Sequence, residues 1–155
     1  MSARLIMKLD VVETDELGAG VRRLVLRHPR RPLLPPFEPG SHVDVHLGDG
    51  RVRQYSLCGD PADISCYVMA VKLDPGGRGG SRWVHEHLRK GAVAHVSAPR
   101  NHFRLAPQAT HHVLVAGGIG VTPLLAMARH LVRAGAGVEM HYGAPGPEAA
   151  PFLPE

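Results

Sequence analysis

Apolar and polar positions alternate through the first two thirds of the chain in short runs, each closed by turn residues. Period-two alternation puts one side of a strand in a core and the other in solvent. The pattern predicts strands over Leu5–Glu13, Val21–Arg27, His42–Leu47, Val52–Leu57, Ser65–Lys72 and Ala94–Ala98. Gly48-Asp49-Gly50, between the third and fourth, is a hairpin signal. Pro29 to Pro39 reads as a proline-rich loop. One short helix, Ser81 to Arg89, interrupts the strands, with Ser81 as its N-cap. Six short strands with one short helix predict a closed antiparallel barrel.

After Pro107 the period changes. His112–Ala116 reads as a strand, Pro123–Arg133 as a helix stopped by Gly135, and Val138–Tyr142 as a second strand. That is one βαβ unit, which implies parallel pairing. Gly143 to Glu155 is rich in glycine, proline and alanine. The expected division is therefore residues 1–107 and residues 108–155. A single βαβ unit leaves a sheet edge open and one face thinly covered.

Composition narrows the classes. Hydrophobic residues make up 44% of 155, enough for a sizeable core. The net charge of +4 is spread over scattered arginines, with no Lys/Arg run longer than two, so a nucleic-acid surface is not expected. No stretch of ~20 apolar residues suggests a membrane span. The start, Met-Ser-Ala-Arg-Leu-Ile-Met-Lys, lacks the apolar core of a signal peptide, so a cytoplasmic location is the expectation. Cys58 and Cys66 form no CxxC, which removes zinc and iron–sulfur spacings. Eleven histidines invite a metal reading, but His85 and His87 do not share a helix face, and the adjacent His111 and His112 diverge. No metal site is expected.

Three segments carry chemistry. In Arg53-Gln54-Tyr55-Ser56-Leu57-Cys58, a strand would turn Arg53 and Tyr55 to one face and Ser56 to the other. Arg53 offers a planar fork of donors suited to a phosphate. Tyr55 offers an aromatic face, and Ser56 a hydroxyl able to donate to a ring nitrogen. Gly76-Gly77-Arg78-Gly79-Gly80-Ser81 runs into the short helix. A helix N-terminus preceded by glycines attracts phosphate. Finally, Val113 to Pro123 reads as a buried strand, a glycine turn and a helix start, with Thr122 as cap and Pro123 at the first helical position. It is a strand–turn–helix of the kind that holds a pyrophosphate, without the third glycine of G-x-G-x-x-G.

In this order and spacing these segments resemble the ferredoxin–NADP reductase superfamily, and within it the phthalate dioxygenase reductase and vanillate demethylase reductase branch. The resemblance runs from about Lys8 to Tyr142. It includes Phe37-Glu38-Pro39-Gly40-Ser41-His42-Val43, Val71-Lys72 and Pro99-Arg100-Asn101-His102-Phe103 beside the three segments above.

The resemblance implies a six-stranded Greek-key barrel that binds flavin, followed by an incomplete α/β lobe for a nicotinamide nucleotide. It implies FMN, with FAD as the alternative, and NADH as substrate. Arg53 would hold the flavin phosphate, with Gly79, Gly80 and Ser81. Tyr55 would lie against the ring or ribityl chain, and Ser56 at N5. Leu57 belongs to the same motif, and Val71 and Lys72 would supply backbone contacts. Gly118, Gly120, Thr122 and Pro123 would meet the nicotinamide nucleotide, Thr122 near the flavin edge. Ser56 and Thr122 are the candidate catalytic residues. The implied activity passes electrons from NAD(P)H through flavin to an iron–sulfur protein or an oxygenase component. The branch's remaining nucleotide-binding strands and [2Fe–2S] domain have no counterpart here, so the chain reads as a truncated form. The alternatives are a flavin-binding module without turnover and an FAD-dependent ferredoxin reductase-like protein. The basic balance fits either a rim facing an acidic electron-transfer partner or a plain solvated face.

Overall fold

The structure is a computed structural model and describes residues 5–153. The first four residues, read above for a signal peptide, and the last two of the C-terminal segment lie outside the described residues. Nine strands and two helices follow one another as β1 (Ile6–Glu16), β2 (Val21–Arg27), β3 (Ser41–His46), β4 (Val52–Ser56), β5 (Tyr67–Lys72), α1 (Gly80–His87), β6 (Val93–Ser97), β7 (Arg100–Asn101), β8 (His111–Gly117), α2 (Val121–Arg133) and β9 (Gly137–Gly143).

The first six strands pair antiparallel in the order β4-β3-β6-β1-β2-β5. A bridge between Leu57 and Met69, with the Cys58 N–H donating to the Val68 carbonyl at 2.9 Å, joins β4 to β5. Leu9, Leu24, Val43, Leu57, Met69 and Val96 fill the interior with no exposed surface. The expected antiparallel barrel is therefore present.

Two features of the barrel differ from expectation. Strand β1 runs on to Glu16, because polar residues there find cross-strand charges: Asp15 faces Arg23 with a 2.6 Å ion pair, and Glu16 faces Arg22. Strand β7 is only two residues long and adds to β3, too short for periodicity to announce. The proline-rich loop also has work to do. It buries Leu34 and Phe37, sets Phe37 edge-on to Tyr67 at 5.9 Å, and accepts the Tyr67 hydroxyl at the Pro35 carbonyl, 2.6 Å away.

The expected βαβ unit is present, with β8 and β9 parallel in register from His111↔Gly137 to Gly117↔Gly143. Its helix starts differently. Gly118–Gly120 winds as a 3-10 turn straight into α2, so Gly120 precedes the helix, Thr122 is its second residue and Pro123 its third. Thr122 does not cap; its hydroxyl donates back to the Ile119 carbonyl at 3.0 Å. Ser81 does not cap α1 either, because Gly79, at φ +77°, precedes the helix and Ser81 is its second residue. At the other end of α2, Gly135 at φ +69° stops the helix as expected. Gly135 and Ala136 donate to the carbonyls of Val132 and Leu131, the paired bonds of a Schellman ending.

The α2 helix does not rest on its own sheet alone. Leu124, Leu125, Met127 and Leu131 share a core with Val21, Cys58 and Ala70 of the barrel. Arg129 donates to the Cys58 carbonyl, and Arg133 pairs with Asp60 at 3.0 Å. Phe152 is buried in the same core.

Candidate flavin site

Strand β4 sets the first part of the site. Its register pairs Ser56 with His42, Tyr55 with Val43 and Arg53 with Val45. Arg53 and Tyr55 thus lie on the side of the inward-facing valines, and Ser56 on the other, as the alternation requires. Tyr55 packs against the barrel core, and burial raises its hydroxyl above the usual phenol range, with the nearby Arg53 charge pulling the other way.

Arg53 meets α1 at its first turn. A Cβ on Gly80 would stand 2.8 Å from the Arg53 Cγ and Nε, so this position admits only glycine while Arg53 lies there. Gly79 stands in the same relation to Arg51, whose Nη1 a Cβ there would approach to 2.9 Å. Arg51 donates to the Arg78 carbonyl and through Nε to Asp49 at 2.9 Å. That bonding holds the exposed Asp49 carboxyl at about 2. The Ser81 Oγ accepts the Asp74 N–H at 3.0 Å, which ties the glycine loop to the helix and leaves the hydroxyl proton for another acceptor. Two guanidinium groups, glycine backbone and a hydroxyl therefore converge where α1 begins. Backbone N–H groups at a helix start favour an anion, and an arginine fork can pair with it.

The second part is a cleft of about 360 Å3 between the barrel and the start of α2. One wall is Tyr55, Ser56 and the end of β5, including Val71 and Lys72. The other is the glycine turn, with Gly120, Thr122 and Pro123. His85 on α1 links the two parts, its Nε2 lying 2.8 Å from the Val71 carbonyl. A carbonyl can only accept, so this ring nitrogen carries the proton.

The sequence-predicted residues divide accordingly. Arg53, Gly79, Gly80 and Ser81 come together at α1, and Tyr55, Ser56, Val71, Lys72, Gly120, Thr122 and Pro123 at the cleft. Leu57 does not join them: its side chain is fully buried in the barrel core. Gly118, at φ +52°, shapes the turn but does not line the cleft. The Thr122 hydroxyl proton is spent on Ile119, so this oxygen is left only to accept. Sequence reading missed Arg51, whose signal was a second arginine two positions before Arg53 on the same hairpin. It also missed Gln54, Ala70 and Ile119, which complete the cleft.

Among the described residues no group of three or more His, Cys, Asp or Glu could hold a metal ion, and no helix is long and apolar enough to cross a membrane. A larger groove, about 670 Å3, runs between α2, β9 and Phe152; its lining is mostly apolar, and its two arginines are bonded to the protein, Arg129 to the Cys58 carbonyl and Arg133 to Asp60.

The chain and its fold have known relatives. No family model matches the chain. It is 50% identical over 117 residues to a vanillate O-demethylase oxidoreductase of Pseudomonas putida, covering 76% of this chain and 37% of that protein. It is 37% identical over 158 aligned positions to the carnitine monooxygenase reductase subunit of Escherichia coli, covering 100% of this chain and 49% of the other. The solved structure of phthalate dioxygenase reductase, described as modular for electron transfer from pyridine nucleotides to [2Fe–2S], superposes with a TM-score of 0.90 at 38% identity, over 94% of this chain and 46% of that one. The chain thus spans about half or less of the length of these relatives. Over that span it belongs to the ferredoxin–NADP reductase superfamily, in the phthalate dioxygenase reductase and vanillate demethylase reductase branch.

Proposed function

We propose that this chain is the flavin-holding part of an NAD(P)H oxidoreductase that passes electrons, through FMN, to an iron–sulfur centre of an oxygenase system. The carrying observation is the meeting of Arg53 with Gly80 at the start of α1, beside a cleft walled by Tyr55 and Ser56. In this reading residues 1–107 are the flavin domain, a Greek-key barrel, and residues 108–155 the first part of a nicotinamide-nucleotide domain. Arg53, Arg51, Gly79, Gly80 and Ser81 hold a terminal phosphate, which favours FMN over FAD because a mononucleotide ends there. Tyr55 supports the ring, Ser56 donates at N5, and Val71 and Lys72 contribute backbone. Gly118, Gly120, Thr122 and Pro123 face the pyridine nucleotide. When bound, the flavin supplies the change from two-electron to one-electron transfer. The [2Fe–2S] acceptor lies in further sequence or in a partner, in the cytoplasm. The outward valines of β8 favour a second reading, a flavin-binding module that needs more protein for turnover.

Titration of the apoprotein with FMN and with FAD tests the proposal. FMN binds one to one and more tightly than FAD, and Arg53→Ala weakens FMN binding by roughly 1.5–3 kcal/mol, the scale of a charged hydrogen bond. Equal retention of FMN by wild type and variant would remove Arg53 from the site.

A further inference from the structure

The turn between β3 and β4 reaches over to the start of α1 and is fastened there. The turn itself is closed: the Gly50 N–H donates to the Leu47 carbonyl at 3.1 Å, and the Leu47 N–H to the Arg51 carbonyl at 2.8 Å. Asp49, exposed at its tip, accepts the Arg51 backbone N–H at Oδ1, 3.0 Å away. Its Oδ2 accepts the Arg51 Nε–H at 2.9 Å and a second bond from Nη2. The Nη1 of the same guanidinium crosses to the Arg78 carbonyl in the glycine loop. On the other side of the tip, the Trp83 ring of α1 packs on Gly48, where a Cβ would come within 3.1 Å of Cζ2. An arginine and an indole thus hold the hairpin tip against the helix.

Strand β4 gives this fastening its direction. Tyr55 and Ser56 line the ring cleft, Arg53 lies two residues earlier than Tyr55, and Arg51 two residues earlier again. Each step is roughly 6–7 Å along a strand. The line from ring to first phosphate, continued, runs onto the hairpin tip. A mononucleotide ends at Arg53. A dinucleotide carries a second phosphate one step further on, beside Arg51 and Asp49.

We propose that Asp49 makes the site reject flavin dinucleotides, because its carboxylate stands where the second phosphate of FAD would lie and keeps Arg51 from turning to it. The inference rests on the flavin reading above and adds to it a residue that selects between the two flavins. A phosphate monoester loses its second proton near pH 6. At neutral pH FMN therefore brings both negative charges to Arg53 and the start of α1. FAD brings one charge there and sets the other beside Asp49. That carboxylate is ionised, since its hydrogen bonds from Arg51 hold it at about 2. Of the five N–H donors of the Arg51 guanidinium, three are engaged by Asp49 and the Arg78 carbonyl. The other two still serve the first phosphate. Selection then comes from repulsion of the longer ligand, with no added attraction for the shorter one.

The test is calorimetric titration of the full chain, freed of flavin, with FMN and with FAD. Wild type is compared with Asp49→Asn, which removes the charge and keeps an oxygen for the turn bond to the Arg51 N–H. Wild type should bind FMN at least tenfold more tightly than FAD. In Asp49→Asn that ratio should fall by about tenfold, through tighter binding of FAD, as the released Arg51 makes a charged hydrogen bond to the second phosphate. A ratio unchanged by the substitution overturns the inference. So does a ratio that falls only because FMN binds more weakly, and so does a wild type that binds the two flavins equally. A wild type that binds neither flavin would refute the flavin reading itself, an outcome distinct from bound FMN whose advantage over FAD ignores Asp49.

Discussion

In the barrel, each strand from β1 to β6 has a partner on both sides, counting the Leu57–Met69 bridge. In the β8–β9 lobe two parallel strands stand by themselves, and only one face is covered. Leu114 and Ala116 are buried under α2, while Val113 and Val115 on the opposite face are 56% and 72% exposed. Burying a valine fully is worth about 1.5–3 kcal/mol, and these two forgo most of it. The lobe offsets the loss by borrowing: Val21, Cys58 and Ala70 of the barrel complete the core under α2. Everything assigned to the flavin rests on the closed scaffold or touches it, whereas the glycine turn projects from the borrowed one. Added Cβ atoms at Gly117, Gly118 and Gly120 meet nothing within 4 Å, so space is left open above that turn.

The sharpest way to break this contrast is hydrogen exchange. Amides of β3 and β6 should exchange only through global opening, and those of β9 through local opening. Local openings range upward from near zero and global ones reach about 5–15 kcal/mol, so protection should differ by orders of magnitude. Equal protection in both regions would show the lobe to be as cooperative as the barrel.

Substitution gives a smaller measure of the same difference. Leu57→Ala removes a fully buried side chain from the barrel and should cost ~2–5 kcal/mol in chemical denaturation. Val115→Thr alters an exposed position and should change stability by less than about 0.5 kcal/mol. Comparable losses from the two would mean that Val115 is covered in solution.

The barrel strands other than β4 were legible because one face of each is apolar, and Gly48–Gly50 marks the turn that leads into β4. The meeting of Arg53 with the glycine run at the start of α1 was legible because an arginine and a glycine run before a helix are chemically narrow choices. What failed were the helix starts. Ser81 and Thr122 look like caps by residue type, yet glycine backbone takes over both junctions, so the hydroxyls turn to Asp74 and Ile119 instead. Leu57 shows the limit of reading a motif as a unit, since Tyr55 and Ser56 before it line the cleft while Leu57 faces the core.

The central contrast is between a closed barrel that we propose holds flavin and a two-stranded lobe that does not by itself enclose a pyridine nucleotide. The most direct measurement is stopped-flow bleaching of the FMN absorbance. Dithionite should reduce the bound flavin fully. NADH at micromolar concentration should reduce it far more slowly than in a full-length reductase, because two strands and one turn do not fix the nicotinamide, and orientation can be worth ~7–11 kcal/mol of barrier. Fast bleaching by micromolar NADH would contradict the account and show that the residues from His111 to Gly143 suffice.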